Sequence, residues 1–456
     1  MFHAEERRSV VAIAAVYGLR MFGLFLILPV FALYAEKLAG ASPGLVGVAL
    51  GAYGLTMALL QIPFGVLSDR LGRKPVIIAG LGIFAAGSVV AALSDTIQGV
   101  ILGRALQGAG AISAALTALL ADLTREEVRL KAMATIGMTI GMSFAASLVL
   151  APWLDAAIGV RGIFWLTAVL AVGAIGVIAW IVPTPKRIVH RREAEAGWRD
   201  LASVVRNPDL LRLDFGIFAL HGAMTAIFTA LPFVLRDRLG IASQHHSWLY
   251  LGTLLAALML MVPFVIAAEK RGKLKAVFLL AIAGVAAASL VLAEASALWS
   301  VAFGLWLFFM FYNVLEATLP SWISRQAPLA ARGAAMGVYS TSQFFGAFAG
   351  GLLGGLAHAH WGEEGVFFVA AAWMGLWLLI AWGQRPPRMW QTKMLSVHAE
   401  HTSDARQLEQ ALLALSGVHE VFVDLEEGLA LLRVDPERFD EQAAKRLLQG
   451  EERVGS

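Results

Sequence analysis

The chain of 456 residues contains no cysteine, and only 15% of its residues carry charge. Without cysteine there is no disulfide, no thiolate metal site and no thiol nucleophile. Hydrophobic residues make up 58% and the mean hydropathy is +0.71. That composition excludes a disordered chain, and a soluble globule of this size could not hide so much apolar surface. Also missing are a nucleophile–base set, a nucleotide loop and a metal cluster, so an integral-membrane enzyme is disfavoured and no cofactor is expected. The G-x-x-x-G spacings sit in apolar stretches and read as helix-packing motifs.

What is present is apolar sequence in runs of spanning length. They cover about 10–35, 43–67, 75–94, 97–120, 130–153, 163–183, 211–235, 246–268, 275–293, 297–322, 333–356 and 365–384, each near the ~20 residues that cross ~30 Å of hydrocarbon. The pattern predicts an all-α membrane protein with twelve transmembrane helices. MFHAEERRSV leads straight into apolar sequence with no small-residue cleavage site, so the first helix is expected to be uncleaved.

Alternate loops hold the cations: Arg70, Arg73, Lys74; Arg125, Arg129, Lys131; Lys186 to Arg206; Lys270, Arg271, Lys273; Arg325, Arg332. The other loops hold little beyond Lys37, Arg161, Arg236 and Arg238. The positive-inside rule then places the basic loops and both termini in the cytoplasm of a cell with an inner membrane.

Residues 61–74 repeat at a shift of 200. Pro63, Phe64, Asp69, Arg70, Gly72 and Arg73 meet Pro263, Phe264, Glu269, Lys270, Gly272 and Lys273. A shared loop signature at the same helix junction implies a duplicated six-helix unit. The expected division is a six-helix bundle over 1–183, a basic linker over 184–210, a second bundle over 211–387 and a small cytoplasmic domain over 388–456. In that last segment the patterning reads β-α-β-β-α, an α+β ferredoxin-like order with the fourth strand short or missing. His398-Ala399-Glu400-His401 has no cysteine pair beside it and is read as a non-metal loop. The tail is acid-rich and lacks a basic aromatic strand, so nucleic acid is not an expected partner.

The loop Gly65-Val66-Leu67-Ser68-Asp69-Arg70-Leu71-Gly72-Arg73-Lys74 has its own logic. Gly65 would let a neighbouring helix approach, Asp69 sits at a helix end facing a cation or a helix start, and Gly72 permits the turn. Arg73 could bridge to Asp122. This loop resembles the signature between the second and third helices of the major facilitator superfamily. Gly103-Arg104-Ala105-Leu106-Gln107-Gly108-Ala109-Gly110 resembles a second signature, found in its proton-coupled members. The resemblance covers the whole chain and is similar to the proton-driven drug-antiporter branch with a C-terminal ferredoxin-like domain. It implies that Asp69, Arg73 and Asp122 form a charge cluster with the start of the eleventh helix, locking an outward-open state, with a role for the membrane potential. One departure is visible: the fifth-helix antiporter signature carries Gly-Pro, and here Gly137 and Gly141 precede Ala151-Pro152.

Ionisable residues inside spans are costly and are functional candidates. Glu316 heads them, as a carboxylate that can take up and release a proton; Arg104 and His221 would tune it. Asn313 lies one turn from Glu316. Arg20 lies deep in the first span, as a snorkelling or packing cation or as a functional one. Gln107 shares a face with Arg104. Tyr53, Gln61, Tyr339 and Gln343 are weaker candidates for lining a pathway. Asp214, near a helix end, is read as a solvated interfacial residue. The expected function is alternating-access transport, by resemblance proton-coupled efflux of a small lipophilic or mixed-polarity solute. A metabolite uniporter or symporter, or a carrier-fold sensor without flux, are the alternatives. Bilayer, solute and protons are the expected partners, with a cytoplasmic ligand or partner possible for the tail, which would dock by its acidity on the basic inner face.

Overall fold

The computed structural model describes residues 3–185, 201–270, 272–386, 390–397, 405–425 and 428–449. Most of the basic linker and the 398–401 motif therefore lie outside the described residues, as do the side chains of 269–271.

In hydrocarbon a backbone amide has no partner but its own helix, so the apolar runs become helices. They are α1 Ala4–Phe25, α2 Phe31–Ala35, α3 Pro43–Leu71, α4 Arg73–Leu93, α5 Ile97–Ala109, α6 Ser113–Asp122 and α7 Glu126–Gly176. After the linker come α8 Pro208–Phe233, α9 His246–Lys270, α10 Leu274–Ala293, α11 Leu298–Gln326 and α12 Arg332–Trp382. Among the described residues, ten helical segments are long and apolar enough to cross a membrane. Two of them, containing α7 and α12, run 51 residues, which straight would reach ~77 Å, over twice the hydrocarbon thickness. Instead each folds back at a glycine, Gly159 (φ 68°) and Gly362 (φ 68°). A left-handed φ is open to glycine at little cost and turns one run into a hairpin of two crossings.

Two expected spans differ from the structure. The first begins earlier, at Ala4, and stops at Phe25, because Pro29 follows and cannot donate to a continuing helix. The fourth breaks into α5 and α6 around Gly110, whose ψ of 54° is not helical. The duplicated turn is supported by geometry: Gly72 (φ 95°) and Gly272 (φ 65°) both adopt positive φ.

Glycine faces set the helix contacts. A Cβ at Gly346 or Gly350 of α12 would fall 2.1 and 2.0 Å from the carbonyl oxygens of Phe218 and Gly222 in α8. On the other flank of α12, a Cβ at Gly351 or Gly355 would fall 2.4 and 3.0 Å from backbone atoms of Gly47 in α3. So α12 rests on α8 within its own half and on α3 of the first half. Large apolar side chains left exposed, such as Trp180, Met259, Trp299, Trp361 and Leu379, are suited to lipid.

The tail holds β1 Gln391–Ser396, α13 Ala405–Leu413, β2 Val418–Asp424, β3 Leu429–Val434 and α14 Glu441–Gln449. Its antiparallel sheet has the order β1-β3-β2. Alternation of Ala430, Leu432 and Val434 buries one face of β3 beneath Leu408 and Leu412 of α13 and Leu448 of α14. The tail touches the segment between α11 and α12. Glu420 accepts from the Leu329 amide at 2.7 Å, and Arg433 donates to the Ala327 carbonyl at 2.8 Å and pairs with Glu420. The seat is thus an exchange of backbone hydrogen bonds, in which a tail arginine contributes as much as an acid.

Candidate transport site

The two ends of the bundle differ. The basic end carries the 70–74 turn and the segments 123–125, 272–273 and 327–332; the far end carries 36–43, 94–97, 236–246 and 358–363. At the far end the halves are joined. Gly47 and Gly351 meet backbone to backbone. Arg236 after α8 pairs with Glu36 beside α2, and Trp153 of α7 lies edge-on to Trp248 of α9. Toward the basic end, by contrast, side chains added at Gly137, Gly141, Gly333 or Gly337 would meet nothing within 4 Å.

Midway between the ends, the second half builds a polar cluster from three helices. His221 comes from α8, Tyr312 and Glu316 from α11, and Gln343 from α12. His221 Nε2 lies 3.0 Å from Glu316 Oε1, 2.8 Å from Gln343 Nε2 and 3.3 Å from the Tyr312 hydroxyl. Gln343 Nε2 is also 3.5 Å from Glu316 Oε1. These contacts admit two proton placements. With the proton on Glu316, the acid donates to Nε2. With it on His221, Nε2–H donates to the carboxylate and the Gln343 amide turns its oxygen inward. The Glu316 side chain is 31% exposed although it lies mid-span, so space opens beside it.

Asn313 is spent locally, donating to the Phe309 carbonyl at 2.7 Å. Tyr339 is buried on α12, one turn before Gln343. Aromatic rings wall the cluster toward the first half: Tyr312 stacks on Phe144 of α7 at 6.3 Å, and Phe344 meets Tyr53 of α3 edge-on at 6.4 Å.

The first half supplies cations. Arg20 is 2% exposed and does not snorkel. It donates to the Ser113 hydroxyl at 2.8 Å and the Gly110 carbonyl at 3.1 Å, filling the break between α5 and α6. Broken helices are tolerated at membrane depth where such a donor replaces the lost ladder. Arg104 is not beside Glu316: it donates to Gln107 at 2.9 Å, and Gln107 donates to Ser88 at 2.7 Å. Arg20 and Arg104 both face the Tyr53 ring, at 5.9 and 5.3 Å. Gln61 is buried on the same helix as Tyr53, with its side-chain oxygen unpartnered among the described residues. So the candidates fall into a cationic group on the first half and an acid–imidazole group on the second.

At the basic end Arg73 joins Asp69 to Asp122, donating to Asp122 at 3.0 Å, to Asp69 and to Ser68 at 2.9 Å. Lys74 donates to the Ala179 and Val182 carbonyls, closing the end of the sixth crossing. Arg70 is exposed. Gly65 is not needed for close packing here, since a Cβ there would lie 3.5 Å from Ala114, an ordinary contact. The start of the eleventh crossing turns away from this cluster: Gly333 faces open space, and Arg332 reaches Thr392 of the tail at 3.5 Å. The expected cluster that includes that helix is not assembled in this conformation, because the halves meet at the opposite end.

The sequence reading missed three features. One is the break at Gly110, hinted at by Gly108-Ala109-Gly110. Another is Ser113, which partners Arg20. The third is Asp214, expected to be solvated but 4% exposed and enclosed between α8 and its neighbours.

Comparison with known proteins agrees with this architecture. The chain is 43% identical over 445 residues to the "Inner membrane transport protein YajR" of Escherichia coli K12, covering 97% of this chain and 98% of that protein. It is 26% identical to the "Multidrug resistance protein MdtH" of Yersinia enterocolitica over 56% of this chain and 62% of that protein. Among solved structures, a bacterial homologue of the human lysosomal transporter Spinster, described as inward-facing and occupied, superposes with a TM-score of 0.68 at 12% identity. That match covers 84% of this chain and 97% of the other. The profile of the Major Facilitator Superfamily matches residues 13–242 and 213–416. The chain is a multi-pass integral membrane protein of the Major Facilitator Superfamily, a family of transporters and not of enzymes.

Proposed function

We propose that this protein is a proton-coupled antiporter of the inner membrane, exporting a small lipophilic or mixed-polarity solute by alternating access. The observation that carries the reading is the His221–Glu316 pair, held at 3.0 Å by Gln343 and Tyr312 beside open space in mid-span. A carboxylate there is costly unless a proton neutralises it or a partner faces it, and this site offers both states. Far-end closure at Gly47 and Gly351 corresponds to the inward-open state, with the basic loops, both termini and the tail in the cytoplasm. In this state Glu316 releases its proton and the aromatic wall of Phe144, Tyr312 and Phe344 admits the solute. When the halves rock, the far end opens, the solute leaves and Glu316 takes a proton from outside. The Asp69–Arg73–Asp122 cluster would engage the start of α12 in that second state. The tail, a ferredoxin-like domain lacking the fourth strand, would bias the switch through its seat on 327–332.

The test is proton flux in reconstituted vesicles under an imposed pH gradient, across lipophilic cations and small metabolites, for the protein and for Glu316→Gln. Solute-dependent flux that vanishes in the variant supports the reading. Solute movement indifferent to the gradient would make it a uniporter. Binding without any flux would make it a sensor.

A further inference from the structure

Asp214 lies in α8, six residues from the helix start and seven, or two turns, before His221. It is 4% exposed, and neither carboxylate oxygen has a hydrogen-bond partner among the described residues. Among the described residues no cation pairs with it. The nearest on its own helix, Arg212, is turned away, donating to Asp209 at 3.0 Å and to the Gly383 carbonyl at 3.3 Å. His221, further along α8, is taken by Glu316. From α12, the buried indole of Trp377 packs against Gly216, two residues further along α8. A carboxylate enclosed in this way, with no donor aimed at it, cannot stay ionised, because burying an uncompensated charge costs far more than neutralising it. A purely structural acid would be expected to show the donor it serves, and none is present among the described residues.

We propose that Asp214 is a second proton-binding site, which holds a proton while it is enclosed as here and gives it up when movement of the halves admits water to it. This inference rests on the proton-coupled reading above.

Two measurements on the full chain in lipid test it. The first is solute-driven proton flux in Asp214→Asn and Asp214→Glu. The asparagine variant is expected to slow flux by about a hundredfold, the scale of losing a proton-transfer group, with solute binding retained, and the glutamate variant to restore it. The second is the infrared carbonyl band of a protonated carboxyl, recorded for the protein, for Asp214→Asn and for Glu316→Gln. The band is expected to persist in Glu316→Gln and to be lost in Asp214→Asn. Flux and spectrum both unchanged in Asp214→Asn overturn the inference while leaving Glu316 in place. Absence of proton flux in the unaltered protein defeats the coupling reading instead. The infrared band alone then decides whether Asp214 holds a proton, and its absence overturns the inference as well. If Asp214→Asn does not fold, Asp214→Glu with the band assigned in Glu316→Gln serves the same purpose.

Discussion

A Cβ on Gly351 would stand 2.4 Å from the Gly47 carbonyl oxygen, and one on Gly47 would stand 2.0 Å from the Gly351 carbonyl oxygen. The two halves thus close at the far end on a reciprocal pair of glycines, backbone against backbone. Gly351→Ala or Gly47→Ala should disfavour this closure. Because the chain has no cysteine, a single Val46→Cys reports on the far end without background. Val46 is buried beside the contact, and its labelling by an impermeant maleimide should rise by about tenfold, or ~1.4 kcal/mol of shifted equilibrium. Unchanged labelling would show that the glycine pair does not hold the far end shut.

The Glu316–His221 pair makes a second prediction. His221→Gln keeps a hydrogen-bonding side chain but removes the second proton acceptor. Solute binding should persist, while solute-driven proton flux falls by about a hundredfold, the scale of losing a proton-transfer partner. Wild-type flux in this variant would leave Glu316 acting without the imidazole.

Arg20 braces the break in the fourth crossing. Arg20→Met should leave the Gly110 carbonyl and the Ser113 hydroxyl without their donor and destabilise the first half by about 1.5–3 kcal/mol, the range for hydrogen bonds to a charged group. Thermal unfolding in detergent reads this directly. An unchanged midpoint would mean that water or a neighbour replaces the guanidinium.

The tail's seat is testable without transport. In Glu420→Ala with Arg433→Ala, the Leu329 amide and the Ala327 carbonyl lose their tail partners, so hydrogen exchange at Leu329 should speed up while exchange within the tail's sheet stays slow. Equal exchange in both proteins would place the hold elsewhere. Deleting 388–456 with transport and stability unchanged would remove any regulatory part for the tail.

The Asp69–Arg73–Asp122 set should matter in the other conformation. Asp122→Asn removes one of the two carboxylates that Arg73 joins. In the proposed cycle it should slow solute flux several-fold while leaving solute binding alone. Equal loss of binding would tie the cluster to the solute site.

Much of this protein was legible in its sequence, for a physical reason. In lipid the backbone must satisfy itself locally, so apolar run length fixes helix number, and cations in alternate loops fix which ends share a side. The repeated turn at 72 and 272 needs only glycine and its flanking charges. The β2 strand of the tail was readable from the alternation of Val421, Val423 and Leu425, since a period of two admits one buried face. Tertiary structure decided what local pattern could not. Arg104 finds Gln107 on its own helix face, but that His221 meets Glu316 depends on which faces of distant helices come together. The break at Gly110 is stable because Arg20, ninety residues earlier, reaches it. Asp214 looks like an interfacial acid in the chain; its enclosure comes from the way α12 lays its glycine face on α8, a contact no single helix encodes.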